Sequence, residues 1–252
     1  MSSASAVSPS ARRRDDPAGW PLRTVVRILA AVLRVITRRE WRGTEHVPAG
    51  PLVMVANHIS YFDFLPFGHF VYGAGRWPHY LAKESVFRIP VLGALIRACE
   101  QIPVHRRSAR AGDALASAVA AVERGHVVMI YPEGTVTKDP AQWPMRGHSG
   151  AVRVALQTGC PLVPVAQWGA QEVMPGPMPG VPRLLPRKTM RVVAGPPIDL
   201  SAYVDRPLTA ALLVEATELV MSEITALLAE LRGEPAPAGR YHPTGDDPTG
   251  GS

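Results

Sequence analysis

The amino-acid sequence predicts a single α/β domain with a mixed, largely parallel central sheet flanked by helices. Three short apolar runs, at residues 52–56, 127–131 and 162–166, are typical of strands that are buried on both faces of a sheet. Helical patterns alternate with these runs, as expected where helices cover the faces of a sheet. Hydrophobic residues make up 46% of the 252 residues, which is enough for a sizeable core.

The N-terminal region predicts a disordered tail over residues 1–19, followed by a basic amphipathic helix over residues 20–40. Four arginines share one sector of this helix: Arg23, Arg27, Arg34 and Arg38. Apolar side chains face the other way. Such a helix either packs its apolar face on its own domain or lies in a membrane interface. We find no run of the roughly 18–20 apolar residues that a membrane span needs, and no convincing signal peptide.

The main domain is expected over residues 41–232. The predicted strands are 52–56, 79–83, 102–106, 127–131, 162–166 and 189–194, and the predicted helices begin at residue 63 and cover 91–96, 111–124, 150–158 and 208–231. Gly125 and Gly159 each follow a helical pattern and indicate C-caps. Pro103 indicates an edge strand. Residues 233–252 are rich in proline and glycine and predict a disordered tail.

The charge and cysteine content limit the possible partners. Lysine and arginine exceed aspartate and glutamate to give a net charge of +6, which attracts nucleic acid, anionic lipid or a phosphorylated substrate. We find none of the motifs of nucleic-acid-binding proteins and expect no nucleic-acid partner. The two cysteines form neither a disulfide framework nor a metal cluster, so we expect no metal. Three histidines without an evident partner are expected to be structural: His69, His79 and His126.

A polar segment, residues 57–63, follows the first buried strand. Ser60 and Asp63 have the spacing of a helix N-cap and an acidic first turn. His58 would then lie at the carboxyl end of the strand, where ligands bind in α/β sheets. Across a loop, Asp63 could orient His58 as a general base. The alternative is that Asp63 only caps a helix and His58 is a loop histidine.

Two further segments could bind a ligand. In residues 131–135, Tyr-Pro-Glu-Gly-Thr, the glycine permits close approach of a ligand and the threonine offers donors, although an ordinary turn would have the same composition. Arg106 and Arg107 follow a predicted strand and could clamp a phosphate or form a solvated pair.

Taken in order, four motifs resemble those of glycerolipid acyltransferases, and more narrowly the 1-acylglycerol-3-phosphate acyltransferase family. They are Asn-His-x4-Asp at 57–63, Ile-Pro-Val-His-Arg at 102–106, Pro-Glu-Gly-Thr at 132–135 and Pro-Leu-Val-Pro-Val at 161–165. The resemblance implies that His58 is the general base on an acceptor hydroxyl and that Asp63 orients it. The acyl donor would be acyl-CoA or acyl carrier protein as co-substrate, with no other cofactor.

The resemblance also implies which residues surround the substrates. The acceptor would contact Asn57, Arg106, Glu133, Gly134, Thr135, Arg146 and His148. Pro164 and Val165 would lie on the acyl or donor side. Since the family is membrane-associated, the resemblance favours the interfacial interpretation of residues 20–40. We therefore expect a peripheral protein on anionic lipids at the cytoplasmic face of the cell membrane.

The chain departs from the family pattern near the expected phosphate site. Val136 and Thr137 stand where many members have Arg-Ser, and a later basic position is matched only by His148. Lysophosphatidic acid is the default acceptor and phosphatidic acid the expected product. The alternatives are another lysophospholipid or a glycolipid acceptor, or a membrane-binding protein that has lost catalysis.

Overall fold

The computed structural model describes residues 17–104, 111–176, 178 and 180–241. Seven strands form one sheet in the spatial order β1-β7-β6-β2-β5-β3-β4. They are β1 (Thr37–Arg42), β2 (Leu52–Ala56), β3 (Pro78–Lys83), β4 (Ile102–Val104), β5 (Val127–Ile130), β6 (Leu162–Trp168) and β7 (Lys188–Ala194). Only the β6–β7 pair is antiparallel among these strands. The predicted mixed, largely parallel sheet is confirmed, and Pro103 lies on edge strand β4.

Helices cover both faces of the sheet. They are α1 (Trp20–Ile36), α2 (Phe64–Gly73), α3 (Glu84–Phe87), α4 (Leu92–Ala98), α5 (Ala111–Glu123), α6 (Gly150–Thr158), α7 (Ala170–Val173), α8 (Ser201–Val204) and α9 (Ala210–Arg232), with a 3-10 turn at Thr44–His46. Successive side chains of β2 alternate between the faces. Leu52 and Met54 pack in the cluster that contains α2, whereas Val53 and Val55 pack with α5, α6 and α9.

The sheet register brings two of the predicted motifs to one edge. Leu52 pairs with Val127 and Val55 with Ile130 in a parallel ladder, so β2 and β5 end side by side. The segments that begin at Asn57 and Tyr131 therefore leave the sheet at the same carboxyl edge. This edge is where an α/β sheet binds its ligand.

The N-terminal helix is shorter than predicted. It ends at Ile36, and Thr37–Arg42 form β1, which pairs in parallel with β7. The Thr37 side chain bonds back to the Leu33 carbonyl while its own backbone is extended. Arg38 consequently lies on a strand rather than in the basic sector of the helix. In the part of the chain that the structure describes, no helix is both long and apolar enough to cross a bilayer.

The described part of the predicted C-terminal tail contacts the domain. Arg240 donates hydrogen bonds to the Glu218 carboxylate, the Met221 carbonyl and the Thr225 hydroxyl, all on α9. Arg240 thus lies against the terminal helix, and the disorder expected for residues 233–252 stays a prediction. Residues 1–16 and 242–252 of the predicted tails lie outside the described residues.

A glycine at the start of α7 supports the fold beside the motif at residues 57–63. Gly169 has a φ of 108°, and a Cβ atom added there would lie 2.0 Å from the Thr189 carbonyl oxygen. Gly159 also has a positive φ, 65°, but a Cβ atom would meet nothing within 4 Å. Gly159→Ala should cost about 1 kcal/mol of unfolding free energy from the left-handed backbone alone. Gly169→Ala should cost at least about 3 kcal/mol because it adds a backbone clash.

Urea denaturation of the two glycine variants measures this difference. Equal losses of unfolding free energy in both variants would contradict the close packing of Gly169 against β7.

Candidate active site

Asp63 organises the loop between β2 and α2. Its side chain is fully buried, and its Oδ2 atom accepts hydrogen bonds from His58 Nδ1 at 2.9 Å and from the Ser60 N–H at 2.8 Å. The Ile59 N–H donates to the same oxygen. Residues 58–60 therefore wrap around one carboxylate oxygen. The contact between His58 and Asp63 that the sequence suggested is present.

The geometry determines which imidazole nitrogen remains available. When His58 is neutral and Nδ1 donates to Asp63, Nε2 carries the lone pair, as assigned from the hydrogen-bond network. Burial raises the pKa of the Asp63 carboxyl, and the hydrogen bond from His58 opposes that rise. The His58 side chain is 17% exposed, so a substrate can reach the ring. His58 and Asp63 can therefore act together as a base and its orienting carboxylate.

Ser60 does not cap α2 as its spacing predicted. Its hydroxyl donates to the Met174 carbonyl oxygen at 2.8 Å and accepts from the Phe62 N–H at 3.0 Å. The helix begins only at Phe64, without a side-chain cap. The N-cap prediction is wrong because Asp63 turns back toward residues 58–60. Ser60 instead fastens the loop to the segment after α7.

Glu133 holds the backbone of His58 from the other side. Its Oε1 atom accepts the His58 N–H at 2.9 Å, and its Oε2 atom accepts the Met145 N–H at 2.9 Å. The Thr137 N–H donates to the His58 carbonyl oxygen at 2.7 Å. The Tyr131 ring stacks on the imidazole, with centroids 4.2 Å apart. Glu133 Oε1, together with Tyr131 and Thr137, thus fixes the position of His58, while Glu133 Oε2 is held by Met145.

Asn57 has a positioning role that the sequence did not reveal. Its side chain is fully buried and forms two hydrogen bonds with the Gln167 backbone, and the Gln167 side chain donates to the Asn57 carbonyl. These bonds join the carboxyl ends of β2 and β6. The predicted contact between Asn57 and the acceptor is not supported, because both polar atoms of its side chain are already bonded within the protein.

A polar cavity of about 730 Å³ lies beside Glu133 and Thr135. Its basic side chains are those of Lys138, Arg146, His148 and Arg153, and the start of α9 closes the opposite side. The structure therefore brings together the predicted residues Glu133, Thr135, Arg146 and His148. Gly134 adjoins them, since a Cβ atom there would lie 3.3 Å from His148 Cδ2. Lys138 was missed by the sequence analysis, and Arg106 lies outside the described residues.

An apolar cavity of about 230 Å³ lies between α1, α2 and α4. Phe64, which directly follows Asp63, lines it together with Leu29 and Leu95. Pro164 and Val165, which were expected on the acyl side, lie instead in β6, where Val165 is fully buried in the core. Neither residue lines the two cavities. That prediction is not supported, because β6 is a central strand whose side chains at this level are covered.

A family model described as acyltransferase matches residues 38–168, which extend from β1 to β6 and include both segments that hold His58. The chain belongs to this acyltransferase family.

Two curated relatives are similar to this chain in sequence. The chain is 31% identical over 160 residues to a chloroplastic 1-acyl-sn-glycerol-3-phosphate acyltransferase of Brassica napus, covering 62% of this chain and 44% of the relative. It is 27% identical over 252 residues to an N-acylphosphatidylethanolamine synthase of Arabidopsis thaliana, covering 88% of this chain and 83% of the relative. The chain thus spans less than half the length of the first relative.

A solved structure supports the fold. The 1-acyl-sn-glycerophosphate acyltransferase PlsC of Thermotoga maritima superposes with a TM-score of 0.63 over 86% of this chain and 83% of that chain. Since the two sequences are 20% identical, this likeness concerns the fold alone.

The two hydrogen bonds that the Glu133 carboxylate accepts predict the effect of Glu133→Gln. Glutamine offers one oxygen, so one of the two buried N–H groups, of His58 or Met145, loses its acceptor. The unfolding free energy should fall by about 1–3 kcal/mol.

Burial raises the Glu133 pKa from 4.5 to about 7, so the folded protein retains a proton that the unfolded chain releases. The contribution of Glu133 to the unfolding free energy should therefore fall as the pH rises from 4.5 to about 7. The buried histidines His69 and His79, whose pKa values are lowered, contribute with the opposite sign, so the Glu133 effect is measured as the difference between the wild type and Glu133→Gln.

Urea denaturation across this pH range, with exposed Glu45→Gln as a matched control, measures both effects. Glu133→Gln should be less stable than the wild type or the control, and its loss of unfolding free energy relative to the wild type should shrink as the pH rises from 4.5 to about 7. A difference that stays constant over this pH range would contradict the assignment.

Proposed function

We propose that this protein is an O-acyltransferase that moves a fatty acyl group from a thioester to the free hydroxyl of a lysophospholipid. One observation carries the proposal: His58 Nδ1 is bonded to the buried Asp63 carboxylate, which leaves Nε2 as a base. Phe64, next to Asp63, lines the apolar cavity, and Glu133, which accepts the His58 N–H, lines the polar cavity. The family membership supports the reaction class. The default acceptor is 1-acylglycerol-3-phosphate, which would give phosphatidic acid.

A single side chain, His58, can carry the proton through both steps of the reaction. His58 Nε2 takes the proton of the acceptor hydroxyl as the oxygen attacks the thioester carbonyl carbon. The tetrahedral intermediate collapses, the carbon–sulfur bond breaks, and the proton passes to the departing thiolate of CoA or of the carrier protein. Asp63 orients the ring and stabilises the imidazolium form between these steps.

Direct transfer is favoured over a covalent acyl-enzyme. The Ser60 hydroxyl donates its proton to the Met174 carbonyl and accepts the Phe62 N–H, while His58 Nδ1 is bonded to Asp63. Cys99 and Cys160 are buried, and burial raises the pKa of both thiols, which opposes formation of a nucleophilic thiolate. The acceptor hydroxyl is therefore the nucleophile that His58 activates.

The two cavities suit the two chemical parts of the proposed substrates, a fatty chain and a phosphate group. The apolar cavity begins at Phe64, next to Asp63, and would take the fatty chain. The polar cavity begins at Glu133, which bonds to His58, and its cations would bind phosphate. His58 is thus connected to both cavities by direct contacts or by an adjacent residue.

His58→Ala should lower kcat by about 10²–10⁴ without unfolding the protein, because it removes the base. Asp63→Asn should also lower kcat, since an amide no longer favours the tautomer with a proton on Nδ1. Transfer from acyl-CoA to lysophosphatidic acid is the assay. His46→Gln is the matched control, because His46 lies away from this loop and bonds to the Ala194 carbonyl. A folded His58→Ala protein that keeps full transfer would contradict the assignment of His58 as the general base.

A second acceptor class has its own support. The N-acylphosphatidylethanolamine synthase relative is matched over most of both chains, and its name implies an amine acceptor. Val136, at the position where the family pattern has arginine, is buried and cannot contact phosphate. An acceptor panel of lysophosphatidic acid, lysophosphatidylethanolamine and phosphatidylethanolamine separates the two. We expect an ester product from lysophosphatidic acid, whereas an amide product from phosphatidylethanolamine would identify the second class.

We also place this protein peripherally on an anionic membrane. Helix α1 buries Leu22, Val26, Ala30 and Leu33 against the domain. Five of its other apolar side chains remain exposed: Trp20, Ile28, Leu29, Val32 and Val35. Exposed Val91, Leu92 and Leu95 continue this surface on and before α4, and Leu29, Leu92 and Leu95 also line the apolar cavity. The exposed cations Arg27 and Arg34 of α1 complement acidic headgroups.

A charge placed in this apolar surface should weaken membrane binding. Val32→Asp should reduce binding to phosphatidylglycerol vesicles by about tenfold or more, because insertion of one valine contributes about 1.5 kcal/mol. Vesicle co-sedimentation measures the binding. Val204→Asp is the matched control, since Val204 is even more exposed than Val32 (63% against 47%) but lies on α8, which packs on the other face of the sheet. Equal binding of both variants would contradict the assignment, and vesicle binding without transfer to any acceptor would favour a non-catalytic protein.

A further inference from the structure

A second group of polar side chains lies at the amino edge of the sheet, opposite to His58. His79 is the second residue of β3, and His126 directly precedes β5. The two strands run parallel, with His79 paired to Val128. Glu100 follows α4 and reaches toward the same point. The sequence analysis treated both histidines as structural and did not connect them with Glu100.

The three side chains present ligand atoms to one another. One atom from each of His79, Glu100 and His126 lies within 4.8 Å of the other two. His79 Nε2 is 3.7 Å from Glu100 Oε2, and the two imidazole rings have centroids 4.1 Å apart. His79 is 1% exposed, and neither of its ring nitrogens makes a hydrogen bond of normal geometry in the described part of the chain, although the Trp77 and Val127 backbones lie close enough to influence its pKa. A buried imidazole without a hydrogen bond of normal geometry is uncommon, and a bound ligand would explain it.

Gln101 holds Glu100 next to His79. Its Oε1 atom accepts the Tyr80 N–H at 2.8 Å, and its Nε2 atom donates to the Cys99 carbonyl at 2.7 Å. A longer bond of 3.4 Å reaches the Pro78 carbonyl. The amide thus joins the residues on both sides of His79 to the segment that carries Glu100. The three ligands are positioned by secondary structure and by this side chain, before any ion binds.

We infer that His79, His126 and Glu100 form a binding site for a divalent transition-metal cation of the zinc class. Two imidazoles and one carboxylate are a donor set that Zn²⁺ accepts, with water in the fourth position. Ca²⁺ and Mg²⁺ prefer oxygen ligands and suit this set poorly. Glu100 is 44% exposed and can rotate to shorten the remaining distances, whereas the histidines are fixed by the sheet. This inference departs from the expectation of no metal.

A bound cation would join distant parts of the chain. It would connect β3, the start of β5 and the end of α4. The Glu100 carboxylate also lies close to Gly19 at the start of α1, because a Cβ atom at Gly19 would be 2.8 Å from Glu100 Oε1. The residues that flank two of the ligands, Pro78, Tyr80, Cys99 and Gln101, line the apolar cavity. Metal binding would therefore stiffen one wall of that cavity from outside.

The test is a titration of untagged, chelator-treated full-length protein with Co²⁺ and Zn²⁺. We expect one equivalent of Co²⁺ to bind with visible absorption typical of a low-symmetry site, and one equivalent of Zn²⁺ to displace it and raise the Tm. Glu100→Gln and His126→Asn should each weaken binding by at least about tenfold, since even changes beyond the ligands cost that much at metal sites. His58→Ala and His46→Gln should bind as the wild type does.

Each outcome decides the inference. Absence of stoichiometric binding by the wild type overturns it, as does binding by Glu100→Gln that equals the wild type. If His126→Asn fails to fold, Glu100→Gln still decides, because that side chain is exposed and carries little of the core. Loss of binding in His58→Ala alone would move the site to the carboxyl edge and would also overturn the inference.

Discussion

The active-site loop depends on one buried carboxylate oxygen, Asp63 Oδ2. Burial of a charge costs several kcal/mol unless donors compensate it, and here the His58 ring and two backbone N–H groups point at that oxygen. Hydrogen bonds to a charged group contribute about 1.5–3 kcal/mol each, so the three together offset part of the cost of burial, and the pKa of Asp63 stays raised. The hydrogen bonds that reduce the free-energy cost of burying Asp63 also fix the orientation of the His58 imidazole. Stability of the loop and orientation of the base therefore have one cause.

A second buried carboxylate, Glu133, complements the first. Asp63 holds the His58 side chain, and Glu133 holds its backbone N–H from the neighbouring strand. Since β2 and β5 pair in parallel, these contacts form without a long loop. The apolar cavity then lies on the Asp63 side and the polar cavity on the Glu133 side. The sheet thus separates the fatty and the phosphate-binding parts of the proposed reaction, while the histidine cluster occupies the far edge.

The sequence predicted what depends on neighbouring residues and missed what depends on distant ones. The apolar strands and the His58–Asp63 pair are local patterns. Strand β1 was missed because only Thr37 of its six residues is buried, so it lacks an apolar pattern. The roles of Asn57 and Glu133 depend on Gln167 and Met145, which no local pattern connects to them. The histidine cluster likewise requires three elements that only the folded sheet brings together.

The central claim is that Asp63 fixes the neutral His58 ring with its proton on Nδ1 and its lone pair on Nε2. Long-range ¹H–¹⁵N NMR of histidine-labelled protein at neutral pH observes this directly, with His58→Ala to assign the signals. We predict a protonated Nδ1 and an unprotonated Nε2 for His58, and loss of this preference in Asp63→Asn. A ring with its proton on Nε2 in the wild type, or a tautomer that Asp63→Asn leaves unchanged, would contradict the account.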